Sequence, residues 1–448
     1  MNEYMFRRKV YSQLLEWKST FNGTYAALIQ GARRVGKSTV AEAFAQNEYK
    51  SYIKIDFAHI SNDMLSIFND ISNLDLFFLR LQAETNVTLY KRESVIIFDE
   101  IQLYPRVRQA IKYLVADHRY DYIETGSLLS IRKNVKGILL PSEEHKIDMY
   151  PMDYEEFLWA VNNPSYEIIK YLAETGKPVG ESTNRKLMRD FRIYMAVGGM
   201  PQAVLAYVQQ KNFSAIDDIK REIIELYKDD LKKIDPSGRI SRIFESIPSQ
   251  LALKKKRFVI SYATGKKRTL KDEERLSELL DSRTVLLCNH TEDPGVSLSQ
   301  TKNDDKFKLY LADTGLFTTL LFNDERHIND DIYRKLLSDK LAENLGFLYE
   351  NAAAQIISSN GRKLYYHTWS KKDSTHYYEI DFIIAQNAKL VPIEIKSSAI
   401  KKHESIDEFS VKYPHDVGKK FLFSQHDIAK DGDLQLWPMY CLPVLSDR

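Results

Sequence analysis

TYAALIQGARRVGKSTVAEAFAQ, residues 24–46, decides how the rest of the chain is read. Its first seven residues are mostly apolar, as in a strand buried on both faces of a parallel sheet. GARRVGKS (31–38) then matches the phosphate-binding pattern GxxxxGK[ST] at every fixed position. A helix-forming segment, STVAEAFAQ, follows at once. In the order strand, glycine loop, helix, each residue has a physical task. Gly31 and Gly36 allow the loop conformations that turn backbone N–H groups towards phosphate oxygens. Lys37 reaches the β- and γ-phosphates, and the Ser38 hydroxyl suits Mg2+. The helix start adds the positive end of its dipole. A chance glycine turn is the bland alternative, and the flanking strand and helix argue against it. The expected nucleotide-binding set is Gly31, Arg33, Arg34, Val35, Gly36, Lys37, Ser38 and Thr39, with ATP and Mg2+ as cofactors. For Arg33 and Arg34, contact with nucleotide and contact with a neighbouring domain both stay open.

SVIIFDE (94–100) supplies a second half. Its apolar residues bury a strand, and Asp99 emerges at the C-terminal end, where open α/β sheets bind ligands. Asp99 is expected in the Mg2+ shell and Glu100 as the base that polarises the attacking water. An apolar strand ending in two acids is common by itself. It gains meaning from the glycine loop upstream. DYIETGS (121–127) ends a further strand with Thr125 and Ser127. Either a γ-phosphate sensor or a helix-capping hydroxyl fits there, and Ser127 joins the expected nucleotide set. Arg132 and Lys133 are further candidates to reach phosphate in a neighbouring subunit.

Up to about residue 150, strands at 24–30, 52–58, 94–100 and 121–127 alternate with helices, the pattern of a layered α/β domain. From 151 the pattern turns helical, with a break at VGGMP (197–201). The segment 241–290 reads helix, helix, helix, strand, the order of a winged helix. FNDERHINDD (322–331) reads as an exposed linker. A helix through LAENLGFLYENAAAQIISS and strands at KLYYHTW, YYEIDFIIA, LVPIEIKS and KKFLFS make a second α/β unit. The expected domains are therefore 1–150, a helical connector over 151–236, a winged-helix-like segment over 237–321 and a C-terminal α/β domain over 322–448.

Composition narrows the class. Hydrophobic residues make up 44% of the 448 and charged residues 28%, the profile of a globular protein able to bury several cores. The net charge of +2 argues for no partner, so basic character matters only where it clusters. It clusters in LKKKRF (253–258) and TGKKRTLK (264–271), with Phe258 and Tyr262 between them. Phosphate contacts need such lysines and arginines, although a solvated helix end looks the same in sequence. Cys288 and Cys441 are the two cysteines. They form no CxxC or Cys/His pair, which argues against structural zinc and suits a reducing cytoplasm. The N-terminus lacks the apolar core of a signal peptide, and no apolar run reaches membrane-spanning length.

EIDFIIAQNAKLVPIEIK (379–396) lines up Glu379 with Asp381 on one strand and Glu394 with Lys396 on the next. Residues two apart share a strand face. Hard oxygen ligands for a metal and an ordinary wet sheet face both fit this pattern. His367 and His376 lie close by and read as ordinary strand or loop residues.

GARRVGKS, VIIFDEIQ and ETGS together resemble the AAA-type P-loop ATPases of the prokaryotic group labelled archaeal-type ATPases. MYPMDYEEFL, YMAVGGMPQAV, FESIPSQLALKKKRF, LYLADTGLFTTL and LGFLYENAAAQ extend the likeness over nearly the whole chain. One departure is VKGILLPSEEHKIDMYP, where Lys136 and Gly137 stand in place of the Gly-Arg often seen, so no catalytic arginine is placed there. The C-terminal domain of that group is related in fold to restriction endonucleases. The resemblance therefore implies that Asp381 and Glu394 hold Mg2+, with Glu350 as a helix acid and Lys396 steadying water and phosphate. The expected function is Mg2+-dependent ATP hydrolysis coupled to DNA or RNA handling, with metal-dependent cleavage at Asp381, Glu394 and Lys396. The alternative is a non-catalytic nucleotide switch for a protein partner, carrying a degenerate nuclease-like domain. A homo-oligomer is a further expected partner.

Overall fold

Strand β1 (Ala26–Gln30) runs into the glycine loop, and α2 (Lys37–Glu48) leaves it, after a first helix α1 (Lys9–Phe21). This computed structural model describes residues 5–69, 71–126, 142–253, 255–265, 269–322, 330–338, 346–372, 374–397 and 403–446. Contacts divide the chain into one unit of 1–150 with 281–283 and a second of 151–280 with 284–448. The first continues through β2 (Ser51–Asp56), α3 (Asn62–Ile67), α4 (Leu74–Thr85), β3 (Ser94–Asp99), α5 (Pro105–Ala116), β4 (Asp121–Gly126) and β5 (Glu144–Asp148).

These strands form one parallel sheet in the order β2-β3-β4-β1-β5. Every residue of β1, β3 and β4 is buried, as their continuous apolar runs require. On one face the Phe98 and Tyr122 rings stack with centroids 6.1 Å apart, in a core with Phe57, Phe77, Phe78 and Ile111. The register pairs Phe98 with Glu124 and Gln30 with Gly126. The C-terminal ends of β3, β4 and β1 therefore open side by side. Because β4 lies between the loop strand and the acid strand, its last residues stand between them.

The second unit begins with helices α6 (Tyr154–Ala160), α7 (Ser165–Thr175), α8 (Glu181–Val197), α9 (Pro201–Gln210), α10 (Phe213–Ile234), α11 (Arg239–Glu245), α12 (Ile247–Ala252), α13 (Ile260–Thr264) and α14 (Leu270–Asp281). A hairpin of β6 (Val285–Thr291) and β7 (Lys302–Leu311) precedes α15 (Thr314–Leu321), α16 (Asp330–Leu337) and α17 (Gly346–Ser359). Then come β8 (Leu364–Ser370), β9 (Tyr377–Ile380), β10 (Phe382–Gln386), β11 (Lys389–Ile395), α18 (Glu404–Lys412), β12 (Lys420–Ser424), β13 (Ala429–Asp431), β14 (Leu434–Pro438) and α19 (Leu442–Ser446).

Two sheets organise this unit, ordered β7-β6-β8-β9 and β10-β11-β12-β14-β13. Two sequence expectations are corrected here. The hairpin of the expected winged-helix segment pairs through β6 with β8, so one sheet draws strands from both sides of the expected 321/322 boundary. YYEIDFIIA is not one strand. It breaks at Asp381, with β9 pairing to β8 and β10 pairing to β11 in the other sheet. Asp381 Oδ2 accepts the Ile395 N–H at 2.8 Å, so a side chain replaces a ladder acceptor where the chain changes sheets.

The VGGMP and LYLADTG motifs meet in a tight joint. Asp313 caps α15, accepting from Leu316 N at 2.8 Å, and its other oxygen accepts from Gly199 N at 2.6 Å. Gly198 has φ +83°, and a Cβ there would lie 2.3 Å from Asp313 Oδ1. The buried Lys220 donates to Ala196 O at 2.7 Å and Tyr333 Oη at 2.9 Å. Burial pulls its ammonium pKa down to about 8, against the pull of Asp217 and Asp313.

Candidate functional site

The glycine loop is held from below. Arg8 donates to Val35 O at 2.7 Å, and a Cβ on Gly31 would lie 2.1 Å from Met149 O. Gly36, at φ +97°, starts α2 in a left-handed conformation that costs other residues about 1–2 kcal/mol. Lys37 is buried and donates to Gly31 O at 3.2 Å and Ala32 O at 2.9 Å. Burial lowers its pKa, while Glu100 and Asp99 push it up and Arg33 lowers it further. Arg33, Arg34 and Thr39 are exposed on the same loop and helix start.

Ser38 Oγ donates to Asp99 Oδ1 at 2.7 Å. The Thr125 hydroxyl donates to the same oxygen and accepts from Glu100 N at 3.3 Å. Thr125 thus ties the end of β4 to both acids. Asp99 Oδ2 faces Lys54 Nζ at 3.8 Å, and Lys54 also pairs with Glu42 at 2.8 Å. Glu100 takes φ +55°, and its carboxylate accepts from Gln102 Nε2. A non-glycine residue in that region stores of order 1–3 kcal/mol, a cost that recurs where a side chain must be aimed.

Sequence reasoning placed Lys37, Ser38, Asp99 and Glu100, and the structure brings these four together. It missed Lys54 and Gln102. The signal for Lys54 was a charge set between the isoleucines of YIKIDF; for Gln102 it was only its place two after Glu100. Ser127, Arg132, Lys133, Lys136 and Gly137 lie outside the described residues. The fit to Mg2+ rests on the donor set: a hydroxyl and a carboxylate 2.7 Å apart at the start of a helix, beside a buried lysine. These are hard oxygen ligands.

The C-terminal acids are also neighbours, around an unexpected residue. Lys308, on β7, pairs with Glu379 and lies 3.8 Å from Glu350 Oε2. Tyr310 donates to Glu350 at 3.4 Å. Lys396 pairs with Glu394 at 2.5 Å. Burial raises the Asp381 pKa well above the carboxylate range, and Glu350, Glu379 and Glu394 add to it while Lys308 opposes. Among the described residues no three His, Cys, Asp or Glu side chains form a group able to hold a metal ion. His367 Nδ1 bonds to Thr291 O at 2.7 Å, an internal strand contact. Cys288 and Cys441 are free and buried, and burial raises both thiol pKa values.

Of the basic segments, Lys255 lies over the exposed Tyr262 ring at 4.3 Å and Lys256 over Tyr377 at 3.9 Å. Phe258 is a core residue, its ring parallel to Phe307. Lys254 and 266–268 lie outside the described residues. No helix among the described residues is long and apolar enough to cross a membrane.

Residues 24–158 match the family model of an AAA domain. Residues 188–327 match a domain of unknown function, DUF8612, and 345–442 match another, DUF4143. A comparison with curated proteins gives no match. Among solved structures, a Walker-type ATPase of Pyrococcus abyssi is 19% identical with a TM-score of 0.43, over 70% of this chain and 96% of that one. Cdc6p of Pyrobaculum aerophilum is 11% identical with a TM-score of 0.26, over 76% and 98%. The RuvB Holliday junction branch migration motor of Thermotoga maritima is 14% identical with a TM-score of 0.28, over 64% and 88%. The N-terminal part of this chain carries an AAA-type P-loop NTPase domain, built on a parallel α/β sheet.

Proposed function

We propose that this chain binds ATP with Mg2+ at the glycine loop, hydrolyses it, and couples nucleotide state to work on nucleic acid by its second unit. The observation that carries the reading is the 2.7 Å contact of Ser38 with Asp99 beside the buried Lys37. The Lys37 ammonium, now satisfied by two loop carbonyls, would exchange them for phosphate oxygens, a stronger charge-assisted pairing. Ser38 and Asp99 would hold Mg2+, which supplies charge neutralisation between the phosphates. Glu100 takes the proton from water as its oxygen bonds to the γ-phosphorus and the bond to the β-phosphate oxygen breaks. Thr125 keeps Asp99 and Glu100 in register.

The nucleic-acid half of the reading is supported by the exposed Tyr262 with Lys255 over it, a cationic and stacking surface of the kind single strands use. The alternative is a nucleotide-dependent switch for a protein partner. Turnover measured with and without DNA or RNA separates them. Stimulation that is lost in a Lys255→Glu, Tyr262→Ala variant supports nucleic acid, and indifference to both polymers supports the protein partner. Glu100→Gln tests hydrolysis itself: ATP should stay bound while turnover stops, and unchanged turnover removes Glu100 from the mechanism.

A further inference from the structure

The C-terminal cluster has the residues of a metal site and an arrangement that does not fit a resident metal. Glu350 comes from α17, Glu379 from β9, Asp381 from the crossing between the two sheets, and Glu394 from β11. Glu350, Glu379 and Glu394 all act on Asp381 electrostatically, so the four acids are close. Yet no three of them form a group able to hold a metal ion. Three of them, Glu350, Glu379 and Asp381, share Lys308.

Lys308 stands on β7, opposite Cys288 of β6, between the buried Phe307 and Leu309. Its side chain is only 8% exposed. Lys306, on the same strand face two residues earlier, pairs with Glu292 where the strand is still open to solvent, whereas Lys308 lies in the stretch 307–311, every residue of which is buried. A lysine buried in that way is tolerated only when its charge is met. It is met by Glu379 in direct contact and by Glu350 at 3.8 Å, with Asp381 acting from further off. Conversely, acids this close, three half-buried and Glu394 buried, need a cation. Lys396 serves Glu394 through Oε1 alone, and Glu394 Oε2 is buried without a hydrogen-bond partner among the described residues.

We propose that the ε-ammonium of Lys308 takes the place of a divalent cation in this cluster, so that the site carries a built-in counter-ion and accepts a metal only when that ammonium is removed. The cluster is a latent divalent-cation site, and the C-terminal sheets form a scaffold stabilised by an internal ion pair. A divalent cation among these acids would lie against the Lys308 ammonium, which is already paired with Glu379 and Glu350, and the like charges would repel. The inference concerns the second unit alone and is independent of nucleotide hydrolysis.

Mn2+ binding to the full chain, followed by electron paramagnetic resonance without nucleotide in an Asp99→Asn background, tests it. That background silences the glycine-loop site. The parent should bind no Mn2+ that Asp381→Asn removes. Lys308→Met should gain one site at least about tenfold tighter than the background, and adding Asp381→Asn should abolish it. Parent binding that depends on Asp381 or Glu394 overturns the proposal, as does a folded Lys308→Met protein that gains nothing. Should Lys308→Met fail to fold, Lys308→Gln keeps a donor for Glu379 without the charge and is read the same way. The parent measurement decides by itself in the first direction.

Discussion

Ser38 donates its hydroxyl proton to Asp99 across 2.7 Å, joining residues 61 apart in sequence. The same carboxylate oxygen receives Thr125, and the other faces Lys54. Three elements thus fix one acid: α2 through Ser38, β4 through Thr125 and β2 through Lys54. The insertion of β4 between β1 and β3 makes this possible, because it delivers a hydroxyl to the gap between the loop and the acid.

Asp99→Asn keeps the size of the side chain and removes its charge. ATP binding should persist through Lys37 and the loop, while Mg2+-dependent turnover falls by about a hundredfold or more. Melting temperature should barely move. Turnover within threefold of the parent, measured across a Mg2+ titration, would show that Asp99 does not serve the metal shell.

Lys54 should oppose metal binding. Its ammonium lies 3.8 Å from Asp99 Oδ2, where two like charges repel at an effective dielectric near that of a protein surface. Lys54→Met should therefore lower the Mg2+ concentration for half-maximal turnover by about three- to tenfold. A rise instead would mean that the lysine's hold on the carboxylate matters more than its charge.

Sequence reading went furthest where one local pattern carries both fold and chemistry. GARRVGKS and VIIFDE gave strand, loop and acid together, because continuous burial and a glycine at φ +97° leave local marks. It failed where partners come from distant strands. Nothing near EIDFII announces that Lys308, some seventy residues earlier, reaches Glu379. Nor does YYEIDFIIA show in its alternation that the chain leaves one sheet for another at Asp381, since both halves keep the same period. Lys54 was hidden for a similar reason, as a lysine in a strand reads as an exposed edge.

His367 should make folding acid-sensitive. Its Nδ1 donates to Thr291 O, which leaves Nε2 to accept from Lys412 Nζ at 3.4 Å, so the neutral ring is the one that fits. Burial lowers its pKa from 6.5 to about 4, with Lys412 and His290 pressing the same way, and with the Thr291 carbonyl and Glu292 opposing. The unfolded chain then binds the extra proton first. The contribution is complete above pH 6.5 and is lost as pH falls through 4. A shift of this size corresponds to roughly 3 kcal/mol. Urea unfolding of the parent and of His367→Asn at neutral pH and at the acid end should show a smaller acid loss in the variant. Equal losses would remove His367 as a cause.

Gly199 separates two reasons for conserving space in a backbone. It has no positive φ, yet a Cβ there would lie 2.0 Å from Met152 O and 2.5 Å from Met152 N. Those atoms cannot swing aside, because Met152 N donates to Gly199 O at 2.8 Å and Gly199 N is held by Asp313. Gly361 is the reverse, with φ +75° and nothing within 4 Å of a Cβ. Gly361→Ala should cost about 1 kcal/mol, the strain of a left-handed residue alone. Gly199→Ala must push two backbone segments apart and break the Asp313 joint, and should cost about 3 kcal/mol or more. Chemical unfolding of the two variants side by side checks the order. If Gly361→Ala proves the more damaging, crowding at the joint is not what demands glycine at position 199.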